Sequence, residues 1–279
     1  MKKVKTLILR TAGTNCDKET AFAFTKAGSE ADLVHVNSLI KKPEEILKYH
    51  IIAIPGGFTY GDDIASGKIL ANEIKHSMGG SLKKFIRQGK LIIGICNGFQ
   101  VLVKMGLLPG MGKKVDFEVN STLSLNDSGK FEDRWVYLKT NPIEAVSEHE
   151  VLETASQKCV WTRSLPEVIY IPVAHAEGKF IPKDASVLKS LKDNGHIVFR
   201  YCNKDGERAE YPENPNGSVY DIAGICDRTG RILGMMPHPE RHITYLQHPN
   251  WRRYSPDAKG MGIGLKIFEN GVNFARNNL

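Results

Sequence analysis

Residues 91–100 read Leu91-Ile92-Ile93-Gly94-Ile95-Cys96-Asn97-Gly98-Phe99-Gln100. The run Leu91–Ile95 is apolar at every position, which predicts a strand buried on both faces, as a central parallel strand is. A helix is predicted directly after it, from Asn97 to Met105, ending near Gly106. Gly94-Ile95-Cys96-Asn97-Gly98 is therefore a G-x-nucleophile-x-G pattern at a strand-to-helix junction, with Cys where a hydrolase has Ser. The sharp turn lifts the side chain out of the sheet edge. Flanking glycines are needed because a Cβ would collide with the neighbouring strand or helix. The helix N-terminus beneath the thiol offers free N–H groups and partial positive charge, which favour a thiolate and a developing oxyanion. The competing reading is an inert, buried Cys in a Gly-rich packing turn.

Working outward, the first hundred residues alternate in a βαβ manner. Strands are predicted at Val4–Leu9, Ala31–Val36 and Ile51–Ile54, and helices at Asp17–Lys26, Pro43–Lys48 and Ile69–Gln88. Gly79-Gly80 is expected to bend or interrupt the last of these. Beyond residue 110 the pattern changes to shorter, antiparallel-looking strands: Val115–Val119, Arg134–Lys139, Tyr170–Val173, His196–Tyr201, Val219–Cys226 and Ile232–Met236. A last helix is predicted from about Ile263 to Ala275. Without a repeat, low-complexity tract or linker, residues 1–279 read as one α/β domain with an elaborated second half.

A thiolate nucleophile needs a base, and Pro237-His238-Pro239-Glu240 follows an apolar strand. On extended backbone Glu240 would lie alongside the His238 imidazole; the bland alternative is a surface loop with a salt-bridging Glu. Pro239 forbids a helix there, so His238 and His242 do not form a helical metal pair, and no metal is expected. Pro55-Gly56-Gly57-Phe58 ends the strand before Leu91–Ile95. In a parallel sheet it should share a rim with Cys96. Gly57 and Asn97 can then aim backbone N–H groups at a substrate oxygen, although the loop also reads as a tight structural turn.

Two other motifs fail. Gly61–Lys68 resembles a phosphate loop but has one residue too many before its second Gly, and Ile69 replaces the required Ser/Thr. Gly260-Met261-Gly262-Ile263-Gly264 has Leu265 where a dinucleotide fingerprint has Gly, with no strand before it. No cofactor is expected in this chain.

Composition excludes other classes. The chain has 279 residues, 38 Lys+Arg against 31 Asp+Glu, and a formal charge of +7. Length and a 41 % hydrophobic content suffice for a globular core. The basic residues are scattered pairs rather than a stripe, so nucleic acid is not an expected partner. No apolar run approaches a membrane span. Cys16, Cys96, Cys159, Cys202 and Cys226 are dispersed, with no CxxC pair, as reduced thiols of a cytoplasmic protein are. Cys16, Cys159, Cys202 and Cys226 lack the setting of Cys96 and read as structural.

On these residues the chain resembles a known family. GICNGFQ (94–100), PGGFTYGDD (55–63) and MMPHPER (235–241) are similar to the class I, triad-type glutamine amidotransferases. RTAGTNCDKE (10–19), FEDRWVYLKT (131–140), PVAHAEG (172–178) and the 214–241 segment narrow the likeness to glutaminase subunits of phosphoribosylformylglycinamidine synthase. The resemblance covers residues 4 to about 242 and leaves 243–279, with Trp251-Arg252-Arg253-Tyr254, as a C-terminal extension. It implies a flavodoxin-like, open, mostly parallel sheet flanked by helices, with added antiparallel strands in the second half. It implies that Cys96 attacks the glutamine side-chain amide, His238 relays protons and Glu240 orients His238. Gly57 and Asn97 would form the oxyanion hole, Gln100 would contact the substrate, and His175 would lie in a loop near it. Ammonia would pass to a large synthetase subunit that uses ATP and Mg, sometimes with a small third subunit. Asp63-Ile64-Ala65-Ser66 and the Ala in His-Ala-Glu-Gly depart from the common family pattern at places that bear on partner contacts. The alternatives are a glutaminase subunit of a different synthetase, a free-standing cysteine hydrolase, or a non-catalytic flavodoxin-like module.

Overall fold

The computed structural model describes residues 2–112, 114–140, 158–253 and 260–279. Tyr254 of the extension lies outside them. Among the described residues eleven strands form, nine of them in one sheet ordered β2-β1-β3-β4-β11-β10-β9-β6-β7. Its first five members are parallel: β1 (Lys5–Arg10), β2 (Glu30–His35), β3 (Ile51–Ile54), β4 (Leu91–Ile95) and β11 (Ile232–Met235). The rest continue antiparallel through β10 (Ile222–Cys226), β9 (Ile197–Cys202), β6 (Glu132–Lys139) and β7 (Val168–His175). β5 (Ser121–Ser124) and β8 (Lys179–Pro182) make a separate ribbon.

Side-chain alternation covers both faces of the parallel half. Leu7, Leu9, Ile52, Ile54 and Ile92 meet Leu39, Ile74, Met78, Leu82 and Leu102. Those partners come from α2 (Val36–Lys41), α3 (Lys68–Arg87) and α4 (Asn97–Lys104). α1 (Asp17–Lys26) packs on the last helix, α6 (Gly264–Asn278), through an edge-on Phe24–Phe268 pair with ring centroids 5.0 Å apart. Leu265, Ile267, Phe268, Val272 and Ala275 are buried, so the C-terminal extension supplies core rather than an appendage. Burying the four larger of these side chains stabilises by roughly 1.5–3 kcal/mol each. Among the described residues no helix is long and apolar enough to cross a membrane.

Four readings of the sequence need correction. Ile232–Met235 is not an antiparallel newcomer: it joins β4 in parallel, with Met235 opposite Ile95, and meets β10 in the opposite sense. Gly79-Gly80 does not break α3. Gly79 faces the Phe117 ring and Gly80 faces open space, so the lost side chains cost helix propensity and nothing else. Val115–Val119 forms no strand; pairing begins at Ser121 instead. Finally, β8 and α5 (Ala185–Asp193) were not anticipated, although Asp184 announces α5 by accepting from the Ser186 and Val187 N–H groups at 2.9 Å.

Candidate active site

The C-terminal edge of the parallel strands gathers the predicted residues. Cys96 sits between β4 and α4 with φ +50° and ψ −107°. Such a backbone costs on the order of 1–3 kcal/mol for a side-chain-bearing residue and persists only where its surroundings enforce it. Enforcement is visible: the Cys96 N–H donates to Met235 O at 2.8 Å, and Phe99 and Gln100 N–H close onto Cys96 O at 3.0 and 3.1 Å. The flanking glycines are steric necessities. A Cβ on Gly98 would lie 1.8 Å from Ile54 O, and one on Gly94 would lie 2.5 Å from Gly98 O. The thiol points at Ala174 O, 3.6 Å away.

Because β11 lies beside β4, the chain leaving Met235 carries His238 to the same edge. Pro239 starts a single 3-10 turn, Pro239–Arg241, rather than continuing extended backbone as expected. That turn folds Glu240 back so that His238 Nδ1 and Glu240 Oε1 stand 2.6 Å apart, both side chains almost wholly buried. Burial alone would pull the His238 pKa down, but the Glu240 charge and the neighbouring Cys96 and Cys16 sulfurs raise it well above the usual value. Nε2 of His238 is buried without a hydrogen bond.

Gly57 has φ +140°, and a Cβ there would meet Asn15 N and Gly13 O at 2.8 Å. The preceding carbonyl, Gly56 O, accepts from Cys16 N–H at 3.2 Å. Across a trans peptide the Gly57 N–H points the opposite way from that carbonyl. Asn97 is the first residue of α4, where an N–H has no intrahelical partner. Its side chain knits the loop after β3 to the helix, accepting from Thr59 Oγ1 at 2.7 Å and donating to Asp62 Oδ1 at 3.2 Å and Gln100 Oε1 at 3.0 Å. Gln100 stands one turn along α4 and spends its own amide on Glu177 O at 2.5 Å. Lys104, one turn further, donates to Ser66 O at 2.8 Å and faces Glu177 at 3.5 Å.

His175 is the last residue of β7 rather than a loop residue. Burial first, and then His238, hold its pKa down to about 3, so the ring is neutral. Asn216 Nδ2 donates toward Nε2 at 3.5 Å, which leaves the proton on Nδ1 for Asn126 Oδ1 at 3.1 Å. The ring thus anchors the strand end whose Ala174 carbonyl faces Cys96.

One residue at this edge was not expected there. Cys16, taken as structural, places its Sγ beside His238, with Arg241 Nη2 at 3.2 Å. Burial pushes this thiol up to about 11. A signal was available: Cys16 follows β1 as Cys96 follows β4, so both stand at the carboxyl edge of parallel strands.

A family profile for the CobB/CobQ-like glutamine amidotransferase domain matches residues 3–275. The chain belongs to the glutamine amidotransferases. Among relatives of this amidotransferase, the phosphoribosylformylglycinamidine synthase subunit PurQ of Dehalococcoides mccartyi is 48% identical over 99% of both chains. The subunit of the same name from Methanococcus maripaludis is 42% identical over 97% of both. A solved structure, that of PurLQS from Thermotoga maritima, superimposes with a TM-score of 0.67 at 29% identity, covering 98% of this chain and 99% of that one. In this amidotransferase the thiol, the imidazole with one engaged and one open nitrogen, and two candidate N–H donors suit nucleophilic attack on an amide carbonyl.

Proposed function

We propose that this chain is the glutamine-hydrolysing subunit of a phosphoribosylformylglycinamidine synthase in purine biosynthesis. One observation carries the reading: the buried His238–Glu240 contact of 2.6 Å at the strand edge that presents Cys96. Identity of 48% over the full length to a subunit of that name supports the substrate assignment.

In this reading Cys96 gives its proton to His238 and its sulfur attacks the glutamine side-chain carbon. Charge then moves onto the amide oxygen, toward the Gly57 and Asn97 N–H groups. The tetrahedral adduct collapses as His238 returns the proton to the departing nitrogen, releasing ammonia and leaving a γ-glutamyl thioester. His238 next deprotonates water, which attacks the thioester and releases glutamate and the Cys96 thiol. Glu240 holds the imidazole and offsets its charge in both half-reactions. Gln100 borders the glutamine site, and His175 supports it from behind. Ammonia passes to a large synthetase subunit, which consumes ATP with magnesium, with a small third subunit completing the assembly. This chain works in the cytoplasm and itself binds no nucleotide, nucleic acid or membrane.

The test is glutamate release by the purified chain, alone and with the synthetase subunit, ATP and formylglycinamide ribonucleotide. The rate is expected to rise on addition of the partner and to vanish in Cys96→Ala. Undiminished hydrolysis by Cys96→Ala overturns the mechanism. Hydrolysis indifferent to the synthetase points to a free-standing hydrolase.

A further inference from the structure

Asn126 lies in the tight turn between β5 and β6, where the Gly129 N–H closes onto Asn126 O at 2.9 Å. A turn asparagine ordinarily spends its side chain on its own backbone two residues on. This one reaches elsewhere. Its amide is buried against the end of β7, where Oδ1 accepts from Gly178 N–H at 2.9 Å and from His175 Nδ1 at 3.1 Å. Nδ2 donates to His175 O at 2.8 Å and to Lys130 O at 2.9 Å. The backbone N–H of Asn126 adds a bond to Ala176 O at 2.9 Å. An asparagine amide has two donor hydrogens and two acceptor lone pairs, and all of them are engaged here. The other side of the same segment is equally tight. A Cβ on Gly178 would lie 2.4 Å from His175 Cε1 and 2.7 Å from Asn216 Nδ2.

The segment held in this way meets the chemistry at both of its ends. Ala174 O stands 3.6 Å from Cys96 Sγ, and Glu177 O receives the Gln100 amide at 2.5 Å. Gln100 Oε1 in turn accepts from Asn97 Nδ2 at 3.0 Å, and Ser66 N–H donates to the Glu177 carboxylate at 3.2 Å. We propose that Asn126 is a positioning residue for glutamine hydrolysis: by locking residues 174–178 it sets the wall of the glutamine subsite between Cys96 and Gln100. A buried polar network with every partner satisfied holds its members rigidly. Removing the amide leaves Gly178 N–H and His175 O buried without those partners, so the segment shifts to recover hydrogen bonds. A misplacement of about 1 Å, even away from the reacting atoms, can cost about 100-fold in rate. The thiol itself is held by other bonds, from Met235 O and from the first turn of α4. This role rests on the glutamine hydrolysis proposed above.

The experiment compares two reagents for the Cys96 thiol in the assembled complex, with a thermal melt of each variant. One is a diazoketone analogue of glutamine, which must fill the subsite; the other is iodoacetamide, which need not. In Asn126→Ala the rate of Cys96 modification by the analogue falls at least tenfold, while the iodoacetamide rate stays within threefold of wild type. The kcat/KM for glutamine falls in step with the analogue. Asn126→Asp is close to isosteric but turns Nδ2 into an oxygen facing two carbonyls, and it shows the same split if the alanine variant melts early. Gly178→Ala displaces the segment from its other side, with the Asn126 amide in place, and reproduces it. Equal losses with both reagents overturn the proposal, because Asn126 then only supports the fold around the nucleophile. So does an unchanged analogue rate in Asn126→Ala or Asn126→Asp. A wild-type complex that reacts with iodoacetamide but not with the analogue overturns the glutaminase reading and this role with it, whereas the variant outcomes overturn this role alone.

Discussion

Glu240→Gln removes a charge while keeping nearly the same shape, which isolates what the carboxylate does for His238. The two side chains stand 2.6 Å apart and are almost fully buried. At an effective dielectric of about 20, unit charges at that distance interact by about 6 kcal/mol. Gln still accepts from Nδ1–H through its carbonyl oxygen, so part of that is retained, and a loss of about 3–5 kcal/mol is expected in the step that makes the imidazolium. At 1.36 kcal/mol per decade, kcat for glutamine hydrolysis falls roughly 10²–10⁴-fold. Because Glu240 reaches the substrate only through His238, KM should stay within about threefold. The assay is glutamate release against glutamine concentration in the assembled complex, with a thermal melt as control for folding. A fall in kcat of less than about fivefold, in a protein that melts normally, refutes the claim that the Glu240 charge supports proton transfer.

Three further outcomes follow from the geometry. Gly98→Ala puts a methyl group 1.8 Å from Ile54 O, and neither backbone can yield, so both the melting temperature and glutaminase activity should collapse. A variant that melts within 2 or 3 °C of wild type, a shift of about 1 kcal/mol, contradicts this. Burial holds His175 down to about 3 and His242 down to about 4, both below the ordinary 6.5. As pH falls below about 6.5 the unfolded chain therefore takes up protons first, and denaturant-unfolding stability should drop by about 4 kcal/mol between pH 7 and pH 5 from these two rings; a flat profile is the contrary result. Lys104→Met leaves Glu177 without its cation in a site where both side chains are largely buried, which should destabilise by about 3 kcal/mol. It should also raise KM for glutamine more than it lowers kcat, since Lys104 ties Ser66 to α4 rather than touching Cys96. Unchanged stability and KM refute that role.

How much of this was legible beforehand depended on how local each feature is. The run Leu91–Ile95 followed by Cys96 and a helix was readable because a doubly buried strand and a glycine-flanked turn are local patterns. The helix Asp17–Lys26 was equally so and matches residue for residue. The parallel pairing of Ile232–Met235 with β4 was not, because strand order is decided by which faces the whole chain can cover. Yet that pairing is what carries His238 to Cys96. The His238–Glu240 contact was anticipated for a partly wrong backbone reason. Pro239 was seen as a helix breaker, but proline at the first position of a 3-10 turn starts one instead. Cys16 escaped notice because it lies 80 residues before Cys96 and lacks a second flanking glycine close by. Only the β1–β3–β4–β11 order brings the two thiols to one edge.

Two thiols at that edge make the identity of the nucleophile the most direct test of the account. The wild-type complex should be incubated with a diazoketone analogue of glutamine, digested, and each cysteine peptide weighed by mass spectrometry. The account predicts one adduct per chain, on the Cys96 peptide, with loss of glutaminase activity in step and protection by glutamine. An adduct on the Cys16 peptide, or full inactivation with Cys96 unmodified, contradicts it.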